Sequence, residues 1–390
     1  MFKIAIQIAG LILLCIGSSQ AASWRVEMID QSGPGKFTSL KIDRFGNAHL
    51  AYVAEDGKNT LKYAFWDRGL DKWFIMNVAE GAAFSSLVLD SKQRPHISWN
   101  DYGTIPGCKL RYAYFDGESW KTQAIPLSAD TVAFYTSIVL DSHDYPSISF
   151  YEYDGPRGTD FRVRMRVVSY NGVDWQVTTI DGSNQSGKFN SMDTDPNGYA
   201  QLAYANVNAG TAGMRYAYFD GKGWKVEPMD GREQNNGESV GFGAFIKVDR
   251  EGDPHVTYMN YTTPAVKYSV RTNGVWQSET VESLSGVAYP DRNSLALDAD
   301  ERPYIGYFDP KRGVLKVAHK QGAKWVGEIV DSQGAGYTSS LQIARGTLWI
   351  SYTDERNGGV KVARRELDPG ESAARPGATS QRGSTEAPVK

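Results

Sequence analysis

Short runs in which apolar and polar residues alternate recur along most of this chain. Ser39-Leu-Lys-Ile-Asp43 returns as Ser86-Leu-Val-Leu-Asp90, Ser137-Ile-Val-Leu-Asp141, Ser191-Met-Asp-Thr-Asp195 and Ser294-Leu-Ala-Leu-Asp298. Phe245-Ile-Lys-Val-Asp249 lacks the serine, and Ser340-Leu-Gln-Ile-Ala344 lacks the aspartate. A period of two marks a strand with one buried face. A Gly- or Pro-bearing turn follows each run, and the Asp can accept backbone N–H bonds within it. A second run then reads His49-Leu-Ala-Tyr52, His96-Ile-Ser-Trp99, Ser147-Ile-Ser-Phe150, Gln201-Leu-Ala-Tyr204, His255-Val-Thr-Tyr258, Tyr304-Ile-Gly-Tyr307 and Leu348-Trp-Ile-Ser-Tyr352. The third is Leu61-Lys-Tyr-Ala64 and its counterparts from Leu110, Met214, Val266, Leu315 and Val360, and the fourth opens on tryptophan, as in Trp224-Lys-Val-Glu-Pro-Met229. No segment carries an apolar helical period.

Trp24, Trp73, Trp120, Trp175, Trp224, Trp276 and Trp325 set the repeat, with spacings of 49, 47, 55, 49, 52 and 49 by subtraction of their numbers. A period of about 50 residues indicates a repeat architecture. Four antiparallel strands repeated radially leave only short, protected sheet edges. The expectation is an all-β, seven-bladed β-propeller of four-stranded antiparallel blades. The last repeat supplies three strands, and Trp24-Arg-Val-Glu-Met-Ile29 supplies the missing fourth, so the N-terminal strand should complete the last blade and lock the ring.

The ends differ from the repeats. Residues 1–22 hold Lys3, an apolar run from Ile4 to Ile16 and Ser19-Gln20-Ala21, the pattern of a cleaved secretory signal. The run is shorter than the roughly 20 residues a membrane span needs. Leu14 before Cys15 is too large for a lipoprotein site. Residues 23–367 form the propeller, and residues 368–390 are a Pro/Gly/Ser-rich tail expected to be disordered. The chain is therefore expected to be secreted or periplasmic, with no membrane span once the signal is removed.

Lys and Arg total 42 against 45 Asp and Glu, a net charge of −3, and no basic block stands out. Nucleic acid is not an expected partner. Cys108 alone remains after signal removal, so no disulfide framework supports the fold.

The repeats resemble those of exported bacterial seven-bladed propellers that read Ser-Leu-x-Leu-Asp, Gly-x-Pro-His-Ile-x-Tyr, Leu-Lys-Tyr-Ala and Gly-x-Trp. The likeness runs from Trp24 to Glu366. It implies the fold and not an activity, because propellers host many functions. Sialidase-like propellers and propeller lectins are neighbours. The Ser-x-Asp-x-Gly-x-x-Trp turn of the sialidases is missing, and their arginine cluster and Tyr/Glu pair find no matching positions.

Repeated polar residues are first of all scaffold. His49, His96 and His255 each stand six residues after a turn Asp, and no histidine pair has metal-ligand spacing. Lys62, Arg111, Arg215, Lys267, Lys316 and Lys361 share one third-strand position, as expected of an ion-paired scaffold residue or, less simply, a polyanion-binding ring. Asp193-Thr-Asp195-Pro-Asn197-Gly198 opens like a calcium loop, but Tyr204 stands where the bidentate acid belongs. A plain turn explains it, with calcium at Asp193, Asp195 and Asn197 as the weaker alternative.

Departures from the repeat are better functional candidates. Loops from the second to the third strand, and from one repeat to the next, should share a face. Two residues beyond the second-strand aromatic stand Ala54, Asp101, Glu152, Asn206, Asn260, Asp309 and Asp354. They either cap their own turns or form a partly acidic rim. Repeat three adds Tyr151, Glu152, Tyr153, Asp154 and Arg157, the mixture of acids, aromatics and Arg that suits a carbohydrate or polar polymer. Tyr289, Asp291 and Arg292 extend repeat six, and Tyr102 neighbours Asp101. The expected function is non-catalytic recognition of a glycan or other extracellular polymer through this face, or else of an exposed protein. The alternatives are a polysaccharide hydrolase or lyase using Asp101, Tyr151, Glu152 and Asp309 at the channel mouth, and a structural or protein-interaction scaffold.

Overall fold

The computed structural model describes residues 23–101, 108–128, 131–154, 162–183, 185–207, 213–231, 237–285 and 293–367. Its 28 strands form seven four-stranded antiparallel sheets. Blade 1 runs β2 (Gly35–Ile42), β3 (Ala48–Ala54), β4 (Thr60–Asp67) and β5 (Lys72–Ala79). Blades 2 to 6 repeat that order from Ala82, Val132, Ser186, Val240 and Ser294. Blade 7 comprises β26 (Ala335–Ala344), β27 (Thr347–Asp354), β28 (Gly359–Glu366) and, outermost, β1 (Arg25–Asp30). The fold is thus the expected seven-bladed propeller, and β1 closes it, pairing Arg25 with Arg364 and Met28 with Lys361. Among the described residues no helix is long and apolar enough to cross a membrane.

The first strand of each blade contacts the first strands of both neighbours, so these strands ring a central channel. The serine of the first-strand motif ties them together. Ser39 Oγ accepts from the Leu87 N–H at 2.9 Å, Ser137 from Met192 at 3.0 Å and Ser191 from Ile246 at 3.2 Å. Ser340 Oγ accepts from Leu40 N–H at 2.9 Å and carries the ring across the seam between blades 7 and 1. A backbone N–H on the unpaired edge of an innermost strand needs a partner, and the neighbouring blade supplies it.

Between blades lies the core. Leu40, Leu50 and Tyr52 of blade 1 pack with Trp349 and Val360 of blade 7. The repeating tryptophans are half-buried and meet the third-strand tyrosine of the preceding blade edge-on, as in Tyr63–Trp120 at 5.2 Å, Tyr216–Trp276 at 5.2 Å and Tyr268–Trp325 at 5.3 Å. Each such side chain removes about 150–250 Å² from water. Aromatic content is therefore used as inter-blade filling.

A second device joins the blades. A residue at or one before the end of the outer strand is acidic at five of seven equivalent positions: Asp30, Asp181, Asp230, Glu282 and Asp331. Each accepts from the second-strand tyrosine of the next blade, as in Tyr52–Asp30 at 2.7 Å, Tyr204–Asp181 at 2.9 Å and Tyr352–Asp331 at 2.8 Å. The same acid meets the third-strand cation, as in Lys62–Asp30 at 3.0 Å, Arg215–Asp181 at 2.6 Å and Lys361–Asp331 at 3.0 Å. The recurring basic residue is thus an ion-paired scaffold position.

Turn aspartates cap their own turns, and Asp43 shows how. Its Oδ1 accepts from Phe45 and Asn47 N–H, and His49 links Asp43 to the Tyr63 hydroxyl. Burial pushes the Asp43 carboxyl up, but the hydrogen bonds from His49 and Asn47 outweigh it and hold the group at about 2.

Two outcomes follow from this architecture. Removing residues 23–30 takes away the outer strand of blade 7 together with the Asp30 carboxylate, and should lower unfolding free energy by more than about 4 kcal/mol, read by urea denaturation. A truncated chain as stable as the intact one would refute closure by β1. Because its folded pKa is depressed, Asp43 contributes stability above its unfolded pKa near 4 that is lost as pH falls toward 2. Asp43→Asn should therefore lose stability at pH 6 and show a shallower acid limb of the urea midpoint between pH 4 and 2.

Candidate functional site

Loops from second to third strands, and from one blade to the next, emerge on one face, called upper here; first-to-second turns lie on the lower face. At the upper end of the inner strands the pairing register breaks between Lys36 and Ser39, Ala83 and Ser86, Phe134 and Ser137, and Lys188 and Ser191. Within each break one aromatic residue adopts positive φ: Phe37 at 55°, Phe84 at 53°, Tyr135 at 55° and Phe189 at 52°. Such a conformation costs about 1–2 kcal/mol for a residue with a Cβ, and bulges of this kind re-aim a side chain. The next blade holds three of them in place. Ser85 Oγ donates to the Phe37 carbonyl at 2.8 Å, Thr136 Oγ1 to Phe84 at 2.7 Å and Asn190 Nδ2 to Tyr135 at 2.6 Å.

The re-aimed rings form an unbroken collar at the channel mouth. Centroids lie 4.5 Å apart for Phe37–Phe84, 4.7 Å for Phe84–Tyr135 and 4.9 Å for both Tyr135–Phe189 and Phe189–Phe242. Tyr261 extends it 4.0 Å from Phe242. All six rings are half-buried, so faces or edges remain open to a ligand. Sequence reasoning passed over this collar, although an aromatic two residues before the first-strand serine was a legible signal at Phe37, Phe84, Tyr135 and Phe189.

Blades 2 and 3 depart from the inter-blade staple. Ala79 and Ile125 occupy the acid positions, and Trp99 and Phe150, which lack a hydroxyl, replace the tyrosine. A hollow of about 280 Å³ opens there, bounded by Ala79, Glu80, Trp99, Asp101, Arg111 and Gln123. A second, of about 220 Å³, lies beside Phe37 and Phe84 and is edged by Lys36, Glu55 and Asn59. Lys36 and Glu55 are ion-paired at 2.8 Å.

The expected rim residues fall as follows. Asp101 pairs with Arg111 at 2.8 Å. Glu152 is buried and accepts from Arg164 at 2.6 Å and Arg166 at 2.8 Å; Arg166 is the blade 3 member of the third-strand cations, which the motif alone did not reveal. Asn260 donates to Glu238 and caps Thr262 N–H, and Asp309 accepts from Lys311 and Arg312 N–H. Asp354 pairs with Lys361 at 2.7 Å. The acids share a face but are engaged by cations or their own turns. Tyr151 is buried beneath Lys188, and burial pushes its phenol up. Tyr153 is half-buried near the end of the same strand. Asp154 ends that strand; its side chain, and Tyr102, Arg157, Tyr289, Asp291 and Arg292, lie outside the described residues.

The acids of the proposed calcium loop have separate partners. Asp195 caps Asn197 and Tyr199 N–H, while Asp193 binds Lys247 and the Val248 N–H. Asp249, Glu251 and Glu301 do come within 4.8 Å of one another. They lie on the lower face, where Asp249 and Glu301 line a hollow of about 620 Å³ formed by turns of blades 4 to 7. Arg250 Nε lies 2.8 Å from Glu301, and the contact with Glu301 raises the Glu251 carboxyl. Cys108 is buried and forms no disulfide among the described residues.

No protein family and no curated protein matches this chain. Solved structures share the fold. A PL25 ulvan lyase, a polysaccharide lyase bound to GlcA(1-4)Rha3S, superposes with a TM-score of 0.59 at 11% identity, covering 87% of this chain and 95% of that one. The polysaccharide lyase Uly1 gives 0.55 at 12% identity, covering 85% and 90%. Trypanosoma rangeli sialidase gives 0.50 at 11%, covering 87% of this chain and 58% of the sialidase.

The two rim carboxylates on arginine should differ in weight. Glu152→Gln leaves two guanidinium groups facing a neutral amide in a buried setting and should cost about 3–5 kcal/mol. Asp101→Asn, whose Arg111 is 36% exposed, should cost about 1 kcal/mol or less. Equal effects in urea denaturation would show that Glu152 is not the structural clamp its geometry describes.

Proposed function

We propose that this protein binds an extracellular polysaccharide across its upper face without turning it over. The observation that carries this reading is the half-buried aromatic collar, continuous from blade 1 to blade 5, beside two hollows edged by polar groups. Aromatic faces offer apolar contact to sugar rings, and a few placed polar groups fix orientation. Glu80, Asn59, Gln123 and the paired charges of Lys36 and Glu55 supply such groups at the hollows. Catalysis is disfavoured at the acids named from sequence, because Asp101 and Glu152 are held by arginine and Asp309 by its own turn. Tyr151, buried with its phenol held protonated, is a poor proton acceptor. The signal-like N-terminus supports export, where such polymers occur.

Turnover is the second reading. It draws on the fold likeness to two polysaccharide lyases, one of them bound to a uronate-containing sulfated unit. Exposing the chain without residues 1–22 to a panel of neutral, uronate-bearing and sulfated polysaccharides, with chromatographic product analysis, separates the two. Binding without chain shortening supports the proposal. New unsaturated or reducing ends would replace it with the enzyme, and absence of binding would favour a protein partner.

The collar makes a further measurable demand. Phe84→Ala and Tyr135→Ala should each weaken polysaccharide binding roughly 2- to 10-fold, the equivalent of about 0.5–1.5 kcal/mol per aromatic contact, by isothermal titration. Phe45→Ala, on the lower face and 57% exposed, should leave it unchanged. The reverse pattern would move the site to the opposite face.

A further inference from the structure

The central channel has its own chemistry. One position on each inner strand, two residues after the motif serine, projects the same way as that serine by strand alternation. The seven equivalents are fixed by their pairing with the second strand, as in Lys41 with His49, Asp193 with Gln201, Lys247 with His255 and Gln342 with Trp349. Three of the seven are charged, one is an amide, and the others are Val or Ala. Lys247 and Asp193 satisfy each other at 3.2 Å. Lys41 makes no hydrogen bond or ion pair among the described residues, and the Gln342 Nε2 is buried without a partner.

These two donors stand on neighbouring strands. Lys41 lies on β2 and Gln342 on β26, and the Ser340–Leu40 hydrogen bond joins the strands beside them. Both line a channel cavity of about 30 Å³, together with Ser39 and Ser340. Those serine oxygens accept backbone N–H bonds, which leaves their hydroxyl hydrogens available to donate. Four donors therefore converge on this cavity, the Lys41 ammonium, the Gln342 Nε2 and the two hydroxyls, and Lys41 forms no ion pair among the described residues. Enclosure draws the Lys41 ammonium down to about 7; the like charge of Lys247 adds to this and Asp193 partly offsets it. A half-buried cation without a partner gains by deprotonating or by finding an anion. The cavity has room for one water or one monatomic ion.

We propose that the channel holds a small inorganic anion, a halide such as chloride, between the Lys41 ammonium and the Gln342 amide at the seam of blades 7 and 1. The ion neutralises the charge left over by the Lys247–Asp193 pair. It also gives both orphaned donors an acceptor at the point where the two ends of the chain meet to close the ring.

Bromide serves as the probe. Crystals of the wild-type protein equilibrated with sodium bromide should show an anomalous peak within hydrogen-bonding distance of Lys41 Nζ and Gln342 Nε2. In solution, replacing a bulky anion by chloride at constant ionic strength should raise the unfolding midpoint saturably, as for a ligand bound only by the folded state. Lys41→Met should abolish both responses, and Gln342→Leu should weaken the chloride response at least several-fold. A solvent-filled channel with no anomalous peak, or a chloride response that survives Lys41→Met, would overturn the proposal. The wild-type diffraction measurement decides the matter even if the variants fail to fold.

Discussion

The staple between an outer-strand acid and the next blade's tyrosine and cation is the interaction on which this ring most depends. A propeller blade is a small sheet that cannot bury its own faces, so neighbours must meet at a fixed angle. Hydrophobic filling by Trp and Tyr favours contact but is non-directional. The acid adds direction, because it accepts a hydroxyl and a cation at once and has only one position that serves both. Hydrogen bonds to charged groups contribute about 1.5–3 kcal/mol, and the partly buried setting makes a missing partner expensive. Asp30 belongs to both the staple and the closing strand, so ring closure and inter-blade register are set by one short segment.

The exceptions follow the same logic. Where the acid gives way to Ala79 and Ile125, the tyrosine hydroxyl also disappears, into Trp99 and Phe150. Retaining either partner alone would have buried an unsatisfied group. The displaced arginines Arg111 and Arg166 turn to acids on their own blades, Asp101 and Glu152. Two of the three acids that stand out as catalytic candidates in sequence, Asp101 and Glu152, are therefore, in space, replacements for the staple, while Asp309 caps its own turn. Loss of the staple also leaves room at the blade 1–2 boundary, next to the aromatic collar.

The collar shows how a strained backbone can serve a surface. Positive φ at a Phe or Tyr is unfavourable in isolation, yet it recurs in four consecutive blades and is locked at three of them by a polar side chain from the next. Ordered repetition turns a local cost into a continuous apolar track on a face otherwise occupied by paired charges. The lower face carries turns capped by their own aspartates and a hollow with both acids and arginines.

Strand positions, repeat number, ring closure by Trp24 to Ile29 and the scaffold role of His49, His96 and His255 were all determined by the sequence alone. Each depends on a period of two within strands or about 50 between repeats, and both are visible without coordinates. The third-strand cations were legible as scaffold, and their acidic partners were equally visible as an acid following Ile, Met or Val near the end of the tryptophan strand, at Asp30, Asp181, Asp230, Glu282 and Asp331. Tertiary structure decided which polar groups remained available. Asp101 and Glu152 read as turn caps or rim acids until arginines beside them on the adjacent strand are seen to hold them. Lys41 read as one more polar position in a strand until the ring placed it in one cavity with Gln342, 301 residues away by number, without an ion pair. Pairing across a closed ring is set by which blades touch, and no local pattern of residues encodes that.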